Sequence, residues 1–192
     1  RIAHPRTPTS PRNYSLSDRP GQGHYRISVK RESALVPNAP DGLISTYLHE
    51  DVQPGDLLEV GPPCGEFTIN PEVPRERPVV FLAGGIGITP LLSMAKSLVH
   101  HSLDVPLYFL QAARNSVVHA FADEVRQLAA QGANVKTRVL YDQPLDDDLT
   151  QQKCDAAGVV DANLLREWTP YQEADFYFCG PKPFMQCIHA AL

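Results

Sequence analysis

The chain has 192 residues, 43% of them hydrophobic and 20% charged, with a formal net charge of −5; it reads as globular, with room for one sizeable core or two small ones. The negative balance and lack of a basic run argue against nucleic acid or an anionic membrane as partner, although Arg1 to Arg31 is locally basic enough to meet phosphates. No apolar segment approaches the roughly 20 residues of a spanning helix, and the first residues lack the apolar core of a secretion signal, so the expected location is the cytoplasm.

The first eleven residues, rich in Pro, Arg, Thr and Ser, read as irregular. Arg12-Asn13-Tyr14-Ser15-Leu16-Ser17 follows as a short extended segment, in which Arg12 and Tyr14 share one face and Ser15 takes the other. Tyr25, Ile27 and Val29 alternate with Arg26, Ser28 and Lys30, the period of a strand with one wet face. A short helix is expected over 42–50, a turn at Pro54-Gly55-Asp56 and a further strand over 57–60. This half is antiparallel β in character. A polar, proline-bearing connector over 70–77 divides it from the rest, giving domains 1–74 and 75–192.

Beyond the connector, Pro78 to Ala83 is an apolar run suited to a strand buried on both faces, and it breaks into Gly84, Gly85 and Gly87. Thr89 is placed to cap a helix with Pro90 in its first turn, so unpaired amides and the positive end of the dipole would face the glycines. A diphosphate suits such a site. The glycine pattern alone is weak, because Thr89 or Pro90 stands where GxGxxG has its third glycine, and an ordinary strand-to-helix turn reads the same way.

Strands are expected at 78–83, 106–112, 135–140 and 175–179, alternating with helices near 89–101, 119–131, 161–167 and 183–192. Phe121, Val125, Leu128 and Ala129 share a face of the second helix, which Gly132 ends. The acidic stretch Asp142 to Asp148 reads as a solvated loop, with Asp146, Asp147 and Asp148 as surface charge. Repeated strand–helix units imply a parallel sheet. Its last strand, Asp175 to Cys179, stops at Gly180-Pro181, so two ligand-compatible turns would share a crevice at the carboxyl edge. The four cysteines lack C-x-x-C spacing and the seven histidines lack ligand spacing, so no metal is expected. No Ser/His/Asp or Cys/His triad is evident.

The Arg12 to Leu16 segment resembles the R-x-Y-S-[LT] motif of the ferredoxin reductase-like flavoenzymes. Val29 to Glu32, Gly42-Leu43-Ile44-Ser45 with Tyr47-Leu48-His49, Gly55-Asp56 and Gly61-Pro62-Pro63 resemble the flavin domain of flavohemoglobin-type reductases. Gly84 to Pro90, His119 to Glu124, and Cys179-Gly180-Pro181 with Phe184-Met185 resemble the nicotinamide domain of the same group. The similarity runs over 12–192 with its motifs in order.

The resemblance implies an incomplete antiparallel flavin barrel followed by a doubly wound α/β domain, and an FAD-dependent NAD(P)H oxidoreductase. Tyr14 would pack on the flavin and Ser15 would hydrogen-bond near its N5. Arg12 and the helix start at Gly42, Ile44 and Ser45 would hold the FAD diphosphate, with Leu16 beside them. Gly84, Gly85, Gly87, Thr89 and Pro90 would hold the phosphates of NADH or NADPH, and Cys179, Gly180 and Pro181 would flank the nicotinamide. For Cys179 a packing role at a strand end stays open. A hydride would pass to the flavin and single electrons onward to a haem or iron–sulfur acceptor in a fused or separate domain; an upstream globin would make the whole a nitric oxide dioxygenase. Asp142 after Tyr141 disfavours a 2′-phosphate and suggests NADH, with Arg114 and Arg138 as competing candidates. Relatives carry strands before the arginine motif and a last strand with a flavin-covering aromatic. None is expected ahead of Arg12 or after Leu192 here, so weak FAD binding is expected of this chain alone. Cys64, in the Gly61-Pro62-Pro63 loop, departs from the small residue of relatives. The alternative reading is a non-enzymatic nucleotide-binding or regulatory module.

Overall fold

A computed structural model describes residues 1–34 and 36–192. Contrary to the irregular start expected, the chain opens with an antiparallel hairpin of β1 (Ile2–His4) and β2 (Thr7–Arg12), pairing Ile2 with Arg12 and His4 with Thr7. Ile2 and His4 are buried on one face, and the Arg6 amide donates to His4 Nδ1 at 3.0 Å across the turn. Pro8 and Pro11 lie in exposed β2, where a missing donor is tolerated at a sheet edge. Strand structure therefore does precede Arg12's motif.

The two strands expected at 25–29 and 57–60 reduce to single bridges, Leu16 to Ile27 and Ile2 to Val60. Their apolar residues do not find a core: Tyr25 is 69% exposed and Leu57 is 99% exposed. Alternation without a paired neighbour does not make a ladder. α1 (Leu43–Glu50) forms as expected and packs on β1, with the His4 and Tyr47 rings edge to face at 4.8 Å.

The second half is a five-stranded parallel sheet in the order β6-β5-β4-β3-β7. Its strands are β3 (Val79–Gly84), β4 (Leu107–Ala113), β5 (Val135–Tyr141), β6 (Ala156–Ala157) and β7 (Asp175–Cys179). The helices α2 (Ile88–His100), α3 (Ala122–Gln131), α4 (Asp146–Thr150), α5 (Ala162–Trp168) and α6 (Lys182–Ala191) alternate with them. Alternate residues of β3 explain the unbroken apolar run. Val79, Phe81 and Ala83 pack under α2 and α3, whereas Val80 and Leu82 pack on the opposite face with Leu165 of α5 and Ile188 of α6. Helices thus cover both faces, as a doubly wound sheet requires. Among the described residues no helix is long and apolar enough to cross a membrane.

The acidic stretch is not a free loop. Asp148 is fully buried, and its Oδ2 accepts from the amides of Ser116 at 3.1 Å and Leu145 at 3.0 Å. Burial opposes its charge, but these donors prevail and hold its carboxyl below the usual range. They fix α4, and the short β6 follows. The connector is not free either: Arg77 donates to the carbonyls of Gln172, Glu173 and Ala174, and Arg75 and Arg77 both meet Asp175.

Candidate active site at the sheet's switch point

The chain leaves β3 for β4 on one side and returns through β7 on the other, so the switch point of the sheet lies between β3 and β7. Crevices at such points, outside the carboxyl ends of the strands, are where doubly wound sheets bind ligands. Both turns singled out in the sequence are there. β3 and β7 are in parallel register, Val79 with Asp175 through Ala83 with Cys179, and a 3₁₀ turn over Gly85–Gly87 leads into α2.

The glycines of these turns divide by function. A Cβ on Gly84 would lie 2.8 Å from the Phe184 ring, one on Gly180 would lie 2.6 Å from the same ring, and one on Gly87 would collide with the Cys179 carbonyl. Those three let the ends of β3 and β7 and the start of α6 close on one another, so at Gly84 and Gly87 the expected room for a ligand is filled by protein. Gly85 alone has φ +52° with nothing near its missing Cβ. It leaves an open, left-handed backbone corner facing outward.

Thr89 does not cap α2. The helix starts at Ile88, two residues earlier than a Thr89 cap would place it, Gly87 is its N-cap, and the buried Thr89 hydroxyl donates to the Ile86 carbonyl at 3.2 Å. Pro90 is the third helical residue, where its lack of an amide hydrogen leaves no helical bond unmade. Cys179 is half-buried among the residues under α2, and burial alone pushes its thiol up. It is a neutral, weakly polar surface at the strand end.

In the first half, exposed Arg12 ends β2, and among the described residues its guanidinium donates only to the local carbonyls of Ser10 and Pro11. Tyr14 is half-buried, and its phenol is pushed up by burial and by the Glu32 carboxylate, against the pull of Arg12. Ser15 is exposed, and Leu16 is pinned by its bridge to Ile27. Glu32, in the sequence only the end of Val29 to Glu32 with no role of its own, joins this segment to α1: its carbonyl accepts from the Gly42 amide at 2.7 Å and its amide donates to Ser45 Oγ at 3.2 Å. Ser45 Oγ in turn donates to the Gly42 carbonyl at 3.0 Å, so that hydroxyl is committed within the protein. A Cβ on Gly42 would meet Glu32 Cβ at 3.0 Å, which is the signal that a chain segment crosses there. Ile44 is buried in the core, leaving only its amide for a ligand.

Two sets of candidates are thus assembled, Arg12, Tyr14, Glu32 and the start of α1 in one and the Gly85 and Cys179–Pro181 turns in the other. Among the described residues no hydrogen bond, ion pair or ring contact joins Tyr14 to Cys179. The halves meet through contacts that include Asp18 and Arg26 with Lys96 and Glu124, Ile69 against the cluster under α2, and the Phe67 ring beside that of Tyr177. Clefts of about 390 and 550 Å³ lie away from both sets, one along Pro144 to Asp148 and Lys153, the other between Asp18, Arg19, Gln22 and the helices α2 and α3. Arg138 lies three residues before the carboxyl end of β5, about 10 Å from that edge, whereas Arg114 and Asp142 are exposed at it.

Residues 81–190 match the family model for the oxidoreductase NAD-binding domain. The solved FAD/NAD-binding domain of a nitric oxide dioxygenase from Vibrio cholerae O1 biovar El Tor superposes with a TM-score of 0.80 at 36% identity, over 94% of this chain and 70% of that one. The chain belongs to the ferredoxin reductase-like oxidoreductases. Among members of that family, flavohemoproteins of Rhodopirellula baltica and Halalkalibacterium halodurans are 62% and 44% identical over 98% and 94% of the chain. The chain spans less than half of their length, 46% and 43%. The cytochrome b5 reductase domain of Ulva prolifera nitrate reductase, at 23% identity and a TM-score of 0.77, shares the ferredoxin reductase-like fold.

Proposed function

We propose that residues 1–74 bind FAD and residues 75–192 bind NADH, and that the module moves a hydride from the nicotinamide to the flavin and electrons singly to a haem in the remainder of the protein. The observation that carries this is the interlocked pair of turns at the switch point, one open at Gly85 and the other ending in Cys179-Gly180-Pro181. The residues present fit both groups. An exposed guanidinium with only local partners and the first-turn amides of α1 suit one diphosphate, and the outward corner at Gly85 before the α2 amides suits the other.

FAD bound there supplies an acceptor for the hydride and a donor of single electrons. The protein's part is alignment. Tyr14 offers a ring face, and its raised phenol stays protonated, so it is available as a hydrogen-bond donor and adds no negative charge. Ser15 offers a hydroxyl beside it, and Leu16 holds that segment through its backbone bridge. Neutral Cys179 closes the nicotinamide side without introducing a competing thiolate. Because a hydride carries its own electron pair, no acid–base pair is called for. Asp142 at the carboxyl end of β5 supports NADH over NADPH, with Arg114 as its competitor and Arg138 set back from that edge.

The relatives' name, flavohemoprotein, supports haem as the acceptor, and we place the reaction in the cytoplasm. The test is anaerobic mixing of the full-length, FAD-loaded protein with NADH. Flavin bleaching followed by haem reduction is expected; FAD that stays oxidised under saturating NADH and NADPH overturns the reading.

A further inference from the structure

The halves of the chain are joined by a ring of four charges. Arg26 forks onto Glu124 of α3, Nη1 to Oε1 at 3.1 Å and Nη2 to Oε2 at 2.9 Å. Lys96 of α2 donates to the same carboxylate and to Asp18 Oδ1 at 3.3 Å, and Arg26 Nε lies 3.7 Å from Asp18 Oδ2. Cations and anions alternate, and each side chain is only 21–31% exposed. Lone surface ion pairs contribute little, but a bidentate, partly buried network is less screened and more directional.

Two of its members, Asp18 and Arg26, are also tied by their surroundings. Ser93 Oγ of α2 donates to the Asp18 carbonyl at 2.7 Å. Arg26 Nη2 donates to the Ser17 carbonyl, and the Ser17 amide donates to the Arg26 carbonyl at 2.8 Å. The guanidinium also lies over the Phe121 ring, 5.6 Å from its centroid, at the N-cap of α3. The ring therefore grips the chain just after Tyr14 and Ser15 on one side. On the other it grips α2 about 12 Å along the helix from Ile88, where the Gly85 turn ends.

We propose that Arg26, Asp18, Lys96 and Glu124 are positioning residues, whose ring of charges fixes the Tyr14–Ser15 segment against the helix rising from Gly85 and so sets the distance for hydride transfer. The inference rests on the redox reading above. Reacting atoms must come to about 3–3.5 Å, and a 1 Å misplacement costs on the order of 10²-fold in rate. A clasp across the junction is where such a displacement would arise.

The test compares Glu124→Gln and Arg26→Lys with the control Asp123→Asn, whose side chain is 81% exposed and paired with Arg126, all in the full-length, FAD-loaded protein. In single turnover, flavin bleaching by NADH is expected to slow by roughly 10- to 100-fold in Glu124→Gln, with KM for NADH moving by less than about threefold. Arg26→Lys, which keeps the charge but loses the fork, is expected to fall in between, and the control to match wild type. Amide exchange over 15–18 and 88–93 is expected to quicken in the same order. Bleaching in Glu124→Gln within about twofold of wild type sinks the positioning role, as does unchanged exchange in both segments. A wild-type protein that never bleaches sinks the redox reading itself, and the two failures are thereby told apart.

Discussion

Gly85 and Gly87 differ by two positions and by everything around them. Gly85→Ala is expected to lower unfolding free energy by about 1 kcal/mol, the strain of a left-handed residue with a Cβ. That Cβ enters the open corner, so NADH binding should weaken well beyond the change in stability, as titration and urea melts would together show. Gly87→Ala is expected to cost about 3 kcal/mol, because the Cys179 backbone must move aside; an unshifted melt would contradict the packing role. Sequence presents the two glycines alike, since what fills the space of a missing Cβ is decided by a strand some ninety residues away. The charge ring makes a pH prediction of the same kind. Burial raises the Asp18 and Glu124 carboxyls, but the Arg19 amide, Lys96 and Arg26 outweigh it and hold both below their usual values. Their contribution is therefore present above the ordinary carboxylate pKa of about 4 and lost as pH falls through the lower folded values. The gap in melting temperature between wild type and Glu124→Gln should be full near neutrality and close below about pH 4; a constant gap would mean that charge is not what the pair contributes.

Elements with their own signal were legible, and those made by partners were not. β3, β4, β5 and β7 and the helices α2, α3, α5 and α6 fall within about three residues of their expected bounds, because continuous apolar runs and helical periodicity register burial on both faces and on one. α3 starts later than expected because Phe121 adopts φ +62°, leaving His119 and Ala120 outside it. The β1–β2 hairpin was hidden by its prolines, which an edge strand tolerates and a periodicity argument penalises. α4 was hidden by three aspartates, one of which is buried on the backbone amides of nearby Leu145 and distant Ser116. The site followed the same rule: Gly85 and Cys179 stood out locally, whereas Glu32, Arg26 and Glu124 matter through partners far along the chain. One cap seen in the structure is testable. Asp161 accepts from the Leu164 amide at 2.8 Å at the start of α5, so Asp161→Ala should cost about 1 kcal/mol in urea unfolding. Because Leu165 of α5 lies in the core face opposite α2, the loss should not reach the Gly85 turn, and NADH binding should be unchanged.

At the scale of the molecule, the two halves are unequal in what holds them. Among the described residues, the hydrophobic clusters on both faces of the parallel sheet are built from residues after 78, with Ile69 packed against one of them and the Phe67 ring 6.4 Å from that of Tyr177. Among the described residues the first half has a two-stranded sheet, two isolated bridges and an eight-residue helix, too little to be stable alone. A division at 74 also leaves Arg75 and Arg77 with the second half, where they strap the connector to the start of β7. Residues 75–192 alone should therefore give a single cooperative urea transition with native helix content, less stable than the whole chain by the loss of contacts such as those of Ile69, Phe67–Tyr177, Arg26–Glu124 and Asp18–Lys96. Residues 1–74 alone should show no cooperative transition. A cooperative 1–74, or a 75–192 that melts gradually, would place the folding boundary elsewhere and make the charge ring part of a shared core instead of a clasp between two units.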